Sequence, residues 1–156
     1  MCSIGCARDY AKKKIKQKEK KELIEAKKNL LTHKDYLKML QISFNTYIRK
    51  RDEGKPCISC NNILRGKFDA GHFYSVGGYP NVRFNELNVW GQCVHCNQHR
   101  HGNIHEYAKR LINLIGHRTF NDLEIEAHQK SNKLTVEEIK EKIKYYKLKT
   151  KQLEKK

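Results

Sequence analysis

The sequence predicts an α+β fold, mainly helical, with a zinc-stabilised centre, flanking helices and basic arms. Three observations carry that expectation. Two C-x2-C pairs, Cys57/Cys60 and Cys93/Cys96, stand with 32 residues between them. The segment they enclose holds short apolar runs broken by glycine, whereas the chain on either side reads with helical spacing. The formal charge of +16 sits at the two ends. Residues 1–34 carry 11 Lys/Arg against 4 acids and residues 130–156 carry 10 against 4, which leaves +3 for the stretch between.

At 156 residues the chain is about one domain long, and 38% apolar with 32% charged residues fits a soluble protein with a modest core. No apolar run approaches the roughly 18 residues of a membrane span. The first residues lack the apolar segment of a secretory signal. Basic arms point to a polyanion, nucleic acid foremost, because rows of lysine track a phosphate backbone. The plainer alternative is a pair of solvated lysine-rich helices. A membrane surface is disfavoured, since the arms lack a broad apolar face. Six cysteines, four of them in paired C-x2-C units, read as metal ligands rather than disulfides, which implies a reducing, cytoplasmic setting.

Taken in order, Cys2 and Cys6 form a C-x3-C pair that reads either as two free thiols or as half of a zinc finger. Residues 8–31 lack Pro and Gly and predict a largely solvated helix. Thr32 and Asp35 make a capping-box-like start for a helix burying Tyr36, Leu37, Leu40, Phe44, Tyr47 and Ile48, which Gly54 and Pro56 terminate. Residues 63–76 read as strand or hairpin, residues 77–81 as a loop, and residues 82–90 as a second extended segment. A helix is expected from the second knuckle through Ile115 to Gly116, then a short one around residues 121–128. Thr135 and Glu138 form a capping box for a last helix. Its residues Val136, Ile139, Ile143, Tyr146, Thr150 and Leu153 fall at heptad-like spacing, fitting a short coiled-coil seam or packing on the domain's own core. Three divisions follow: residues 1–31 as a basic arm with the remnant of a Cys zinc finger, 32–129 as the core with its preceding helix, and 130–156 as a basic C-terminal helix.

Four thiolates from paired knuckles make a closed tetrahedral zinc site, able to hold a loop-rich segment that buries little core of its own. Cys57, Cys60, Cys93 and Cys96 are therefore the expected structural zinc ligands. A dithiol redox pair would need only one C-x-x-C. Around them the sequence concentrates polar chemistry: His72 near the end of a strand, Asn88 five residues before Cys93, and Asn97 directly after Cys96.

These residues, in that order, resemble the HNH (ββα-metal) nuclease motif. More narrowly, "CISC", "FDAGHF", "RFNELN" and "QCVHCNQHRHGN" resemble the phage NinG (Rap) recombination endonucleases, densely over residues 44–128. The resemblance implies a ββα-metal core and a metal-dependent endonuclease acting on branched recombination intermediates, Holliday junctions and D-loops. It implies His72 as general base, suited by an unperturbed pKa of about 6.5. It also implies a catalytic Mg²⁺ or Mn²⁺ held by Asn97, and Asn88 bracing the loop that carries the histidine. Many relatives place an acidic ligand directly before the base, where this chain has Gly71. Asp69, on the same strand face and roughly 6–7 Å further along, is the substitute. His101 and His99 are further ligand candidates, at helical spacing from Asn97 and Asn103 respectively. Arg65, Lys67, Arg83, Arg100 and Lys109 are candidates for phosphate contacts. Cys2 and Cys6 match the second half of a zinc finger found in longer relatives, so a shortened N-terminus is expected. Paired incision favours a homodimer, for which the C-terminal seam is the sequence hint. Two rival expectations are a zinc-stabilised DNA-binding protein without hydrolysis and a restriction-type HNH enzyme acting on linear duplex.

Overall fold

A computed structural model describes residues 4–130 and 133–155. The chain divides into two units, Met1–Tyr36 and Leu37–Lys156. The first is built on helix α1, Ile4–Asn29. Its apolar residues are too sparse to form a stripe, and Tyr10, Ile15 and Leu23 remain exposed. The C-x3-C reading depends on Cys2, which lies outside the described residues.

Helix α2, His33–Asp52, opens on the capping box expected from Thr32 and Asp35. The Thr32 N–H donates to Asp35 Oδ2 at 3.0 Å, and the Asp35 N–H donates to Thr32 Oγ1 at 3.3 Å. In the second unit, Leu40, Phe44, Tyr47 and Ile48 of α2 are buried, following the predicted 3–4 spacing. The last helix, α5 (Val136–Glu154), opens on a reciprocal capping box between Thr135 and Glu138. Its stripe of Ile139, Ile143 and Tyr146 is buried within the chain. The Tyr146 ring meets Phe44 edge-on at 4.9 Å and Tyr47 at 5.5 Å, and its hydroxyl donates to the Phe84 carbonyl at 3.2 Å. The seam is thus used to close the protein's own core, because aromatic partners on α2 lie within reach.

Between the helices, β1 (Phe68–His72) pairs antiparallel with β2 (Val89–Cys93), placing Asp69 opposite Gln92, Gly71 opposite Trp90 and His72 opposite Val89. The extended segment expected over residues 82–90 is a correction. Most of it is irregular, with a 3₁₀ turn at Pro80–Val82, and the strand starts at Val89 and runs into the second knuckle. The cause is local: Asn85 Oδ1 accepts from the Leu87 N–H at 2.9 Å, a side-chain turn that competes with extension. The strand predicted within 63–76 shrinks to Phe68–His72, since its partner is only five residues long and Gly66 sits at φ +64°.

The continuous helix expected after the second knuckle is also corrected. A π-helical turn, His95–His99, is followed by His101, Gly102 and Asn103 at φ +48°, +84° and +44°. Such left-handed residues end a helix, and α3 starts afresh at Ile104 and runs to Ile115. Helix α4 begins at His117, immediately beyond Gly116, and ends at His128. Ile58, Val82, Tyr107, Leu111, Leu123 and Ala127 form one core cluster beneath the sheet loop and these two helices. No described helix is long and apolar enough to cross a membrane.

Candidate metal centre and strand-end histidine

The first knuckle is a tight turn. The Cys57 N–H donates to the Asn62 carbonyl at 2.8 Å and the Asn61 N–H returns to Cys57 at 3.0 Å, with Asn61 at φ +67°. The second knuckle joins the end of β2 to the π-helical turn, where Cys96 is buried. Phe68 and Leu64 pack against the cysteines. Gly91 lets β2 come close, since a Cβ there would lie 2.5 Å from Leu64 Cδ1 and 2.9 Å from Asp52 Cβ.

All four sulfurs lie within 4.8 Å of one another, and Cys60 Sγ is 3.8 Å from Cys93 Sγ. Zn–S bonds of about 2.3 Å in a tetrahedron demand S···S edges of roughly 3.8 Å. The sequence-predicted ligands therefore fit zinc. Thiolate stabilisation is partly built in. Burial opposes charge at Cys57, but N–H donors from Cys93, Cys60 and Ser59 outweigh it and lower its pKa. Burial, with the neighbouring Cys93 and Cys60, pushes the Cys96 thiol to about 12 in the absence of an ion. Asn103 Nδ2 donates to Cys96 Sγ at 3.7 Å.

His72 ends β1. Its Nε2 lies 3.1 Å from the Arg83 carbonyl, which can only accept, so Nε2 carries the proton and Nδ1 of the neutral ring keeps its lone pair. Burial lowers the His72 pKa below the usual 6.5, against the opposing pull of the Arg83 and Ala70 carbonyls. Asn88 is fully buried. It accepts from the Tyr74 N–H at 2.8 Å and donates to the Tyr74 and Val82 carbonyls, both at 3.0 Å. The Phe73 N–H also donates to the Asn88 carbonyl at 2.9 Å, so both ends of the loop after His72 are tied to one residue.

Asp69 and Asn97 come together. Asn97 Nδ2 donates to Asp69 Oδ2 at 2.9 Å, and Gln98 Nε2 donates to the same oxygen at 2.8 Å. No hydrogen bond joins this pair to His72 among the described residues; three residues of strand, about 10 Å, separate Asp69 from it. At Gly71, where the resemblance implies an acid, the space is taken. A Cβ at position 71 would lie 2.3 Å from Gln92 Oε1 and 2.9 Å from Gln92 Cβ. Gln92 is fully buried, and its Nε2 donates to Ser59 Oγ at 2.7 Å and to the Gly102 carbonyl.

The helical pairings of His101 with Asn97 and of His99 with Asn103 are corrected. Arg100 lies beyond the π-helical turn and the next residues are left-handed, so no common helix face exists. His99 and His101 are both exposed, and His99 faces His95 with ring centroids 6.1 Å apart. Among the described residues, the four cysteines are the one group of three or more His, Cys, Asp or Glu side chains close enough to share an ion.

Arg65, Lys67 and Arg100 are exposed. Lys109 pairs with Glu106 at 3.2 Å, while Arg83 Nε donates to Gln41 at 2.7 Å. Sequence reasoning missed the frame around these groups. Arg51 grips the buried Asp52 through two nitrogens at 2.9 and 2.6 Å and donates to the Glu86 and Val89 carbonyls. Asp52 in turn accepts from the Gly91 N–H at 2.9 Å. Tyr107, fully buried on α3, donates to the Gly71 carbonyl at 2.9 Å. Adjacent opposite charges at a helix end are a weak signal for the first, and nothing in the pattern points to Gln92.

Residues 4–156 match the family described as bacteriophage lambda NinG protein. Proteins named "Protein ninG" are 40% identical over 119 residues in Escherichia phage 933W, and 41% over 105 residues in both Escherichia phage lambda and Salmonella phage P22. These alignments cover 76%, 67% and 67% of this chain, but only 58%, 50% and 51% of the relatives. The chain thus spans between half and three-fifths of their length. No solved structure matches it.

Proposed function

The chain belongs to the bacteriophage lambda NinG protein family, and we propose that it is a metal-dependent endonuclease of the HNH (ββα-metal) type acting on branched DNA. The observation that carries this reading is the state of His72: held at a strand end and kept neutral by burial, with the proton on Nε2 toward the Arg83 carbonyl. A group that must take a proton from water near neutrality has to be neutral there, and burial keeps it so. Two strands leading into a helical turn, pinned by four cysteines, provide the frame expected of such a core.

The amide of Asn97 and the carboxylate of Asp69 are hard oxygen donors, the kind Mg²⁺ and Mn²⁺ prefer, and Mg²⁺ commonly keeps several waters beside one or two protein ligands. Their donor chemistry suits such an ion once Asn97 turns its Oδ1 toward Asp69, in place of the Nδ2–H it donates to Asp69 Oδ2 here. Bound there, a divalent ion would supply charge stabilisation for the phosphate and the leaving oxygen. Asp69 accepts the Asn97 Nδ2–H, which turns Asn97 Oδ1 away from it and holds the amide in one orientation. Asn88 holds the loop behind His72, and the Arg83 carbonyl sets the tautomer. His99 and His101 have no assigned part in this scheme. Arg65, Lys67 and Arg100, being exposed, are free to meet phosphates, and the basic arms extend that contact.

A junction cut symmetrically calls for two active sites and thus a homodimer. Since α5's stripe is buried within the chain, such a dimer would have to use another surface. A nuclease acting on phage DNA would do so in the host cytoplasm.

The test is incision of a synthetic four-way junction and a matched linear duplex, with Mg²⁺, Mn²⁺ or chelator. Junction cutting that needs the ion and disappears in His72→Ala is expected. Equal rates on both substrates would favour a restriction-type enzyme instead. A zinc-stabilised DNA-binding protein without hydrolysis is the second reading. It is favoured by the lack of a second cluster of three metal-binding His, Cys, Asp or Glu side chains among the described residues. Binding without incision under any divalent ion would establish it.

A further inference from the structure

A cavity of about 260 Å³ opens between the first knuckle, β2 and α3, and none of Asp69, His72, Asn88 or Asn97 lines it. Its apolar walls come from Pro56, Ile58, Trp90 and Leu114, and its cations are Lys55 and Arg110. The one carboxylate in the lining, Asp52, is already committed to Arg51, Lys55 and the Gly91 N–H. The indole N–H of Trp90 is spent on the Leu87 carbonyl at 2.9 Å and the Arg51 guanidinium covers one ring face at 4.3 Å, which leaves the other face as the apolar surface a ligand can meet. Arg110 donates through one nitrogen to Asn61 at 2.7 Å, and the remaining guanidinium N–H groups are available to an anion. Lys55 keeps about half of its side chain exposed, at 53%.

An indole wall, aliphatic sides and two cations match a flat aromatic group attached to a phosphate. In a chain of formal charge +16 that requirement describes a nucleotide of a nucleic acid. Bases in a continuous duplex have both faces stacked, so only an unpaired or unstacked base could enter, and a branch point supplies one. We infer that this cavity takes an unpaired nucleobase of the DNA substrate, with the adjoining phosphate held by Lys55 and Arg110. The inference rests on the DNA reading above and deepens it by giving the chain a means to distinguish branched from linear DNA. Trp90 stands opposite Gly71, one position from His72, so β2 connects the cavity to the strand carrying the base.

Trp90 is the one tryptophan in the sequence, and its emission reports on this wall alone. The test titrates the full zinc-loaded chain, without Mg²⁺ or Mn²⁺, against three duplexes of one sequence. One is fully paired, one carries a single extra nucleotide, and one carries an abasic spacer in its place. The extra base is expected to quench Trp90 and to bind at least about fivefold tighter than the spacer, the lower end of what stacking one base on an aromatic ring contributes. Arg110→Ala and Leu114→Asp should each erase that difference with zinc content unchanged; Leu114 is 55% exposed, so its replacement leaves the core alone. Equal quenching and affinity for base and spacer would overturn the inference, and so would failure to bind any of the three. Ion-dependent junction cutting without discrimination would overturn the cavity's role and leave the nuclease reading standing. Discrimination by a protein that never cuts supports the cavity and removes the nuclease.

Discussion

At His72 one hydrogen bond and burial hold the ring neutral, the state that the proposed proton transfer requires. Its pKa is lowered, so the neutral ring dominates above a point below the ordinary 6.5. Activity of a base in this state rises as pH increases and levels off below the pH expected of a free histidine; the acid limb of kcat/KM against pH, absent in His72→Ala, measures this. The same shift affects stability. The unfolded state binds the proton more readily, so stability is full above the unfolded pKa and is lost as pH falls through the folded value. Asn88 is a sharper case. Asn88→Ala strands two carbonyls and an N–H in the interior, at a cost of about 3 kcal/mol. Chemical denaturation should report that loss together with failure of the loop after His72 to hold its place. Gly71→Asp, which would supply the acid that the resemblance implies, should lower stability rather than improve ion binding, because Gln92 fills the space.

Secondary elements here are short and lean on their partners. The two strands are five residues each, and a hairpin of that size does not stand in water without packing. A metal ion held by the four cysteines would supply what the hairpin lacks. Removing the ion with a strong chelator, or replacing Cys57 by Ser, should abolish the cooperative melt of the second unit, followed by circular dichroism alongside zinc content. Helix α5 is held by rings instead. Tyr146→Ala removes its packing on Phe44 and Tyr47 and is expected to cost about 3 kcal/mol. A monomeric variant of lower melting temperature would follow from an internal stripe. A dissociating dimer of unchanged protomer stability would point to a seam between chains.

For the molecule as a whole, positive charge is concentrated toward the two ends of the sequence, as the proposed DNA partner would require. Residues 1–31 carry 10 Lys/Arg against 4 acids, on a helix whose described apolar residues are exposed. If this arm lies along phosphates, deleting it should flatten the dependence of log binding constant on log salt by about 0.9 for each phosphate that the arm neutralises. Fluorescence anisotropy across a salt series reads that slope, and an unchanged slope would assign the arm another partner.

Some features were legible from residue order because they depend on neighbours in sequence. The capping boxes at Thr32 and Thr135 need only residues three apart, and the cysteine knuckles need only their spacing. The apolar stripes of α2 and α5 were readable for the same reason. Long-range packing decided the rest. Whether α5's stripe met another chain or its own core depended on Phe44 and Tyr47, about a hundred residues away. The strand boundaries at Val89 and His72 depended on which loop residues found side-chain partners. The helix after Cys96 broke because three consecutive residues entered left-handed backbone, where Gly102 alone was a visible warning. The identity of residue 71 could be counted from the sequence, but its cause could not: a buried glutamine from the facing strand occupies the volume that an acid would need.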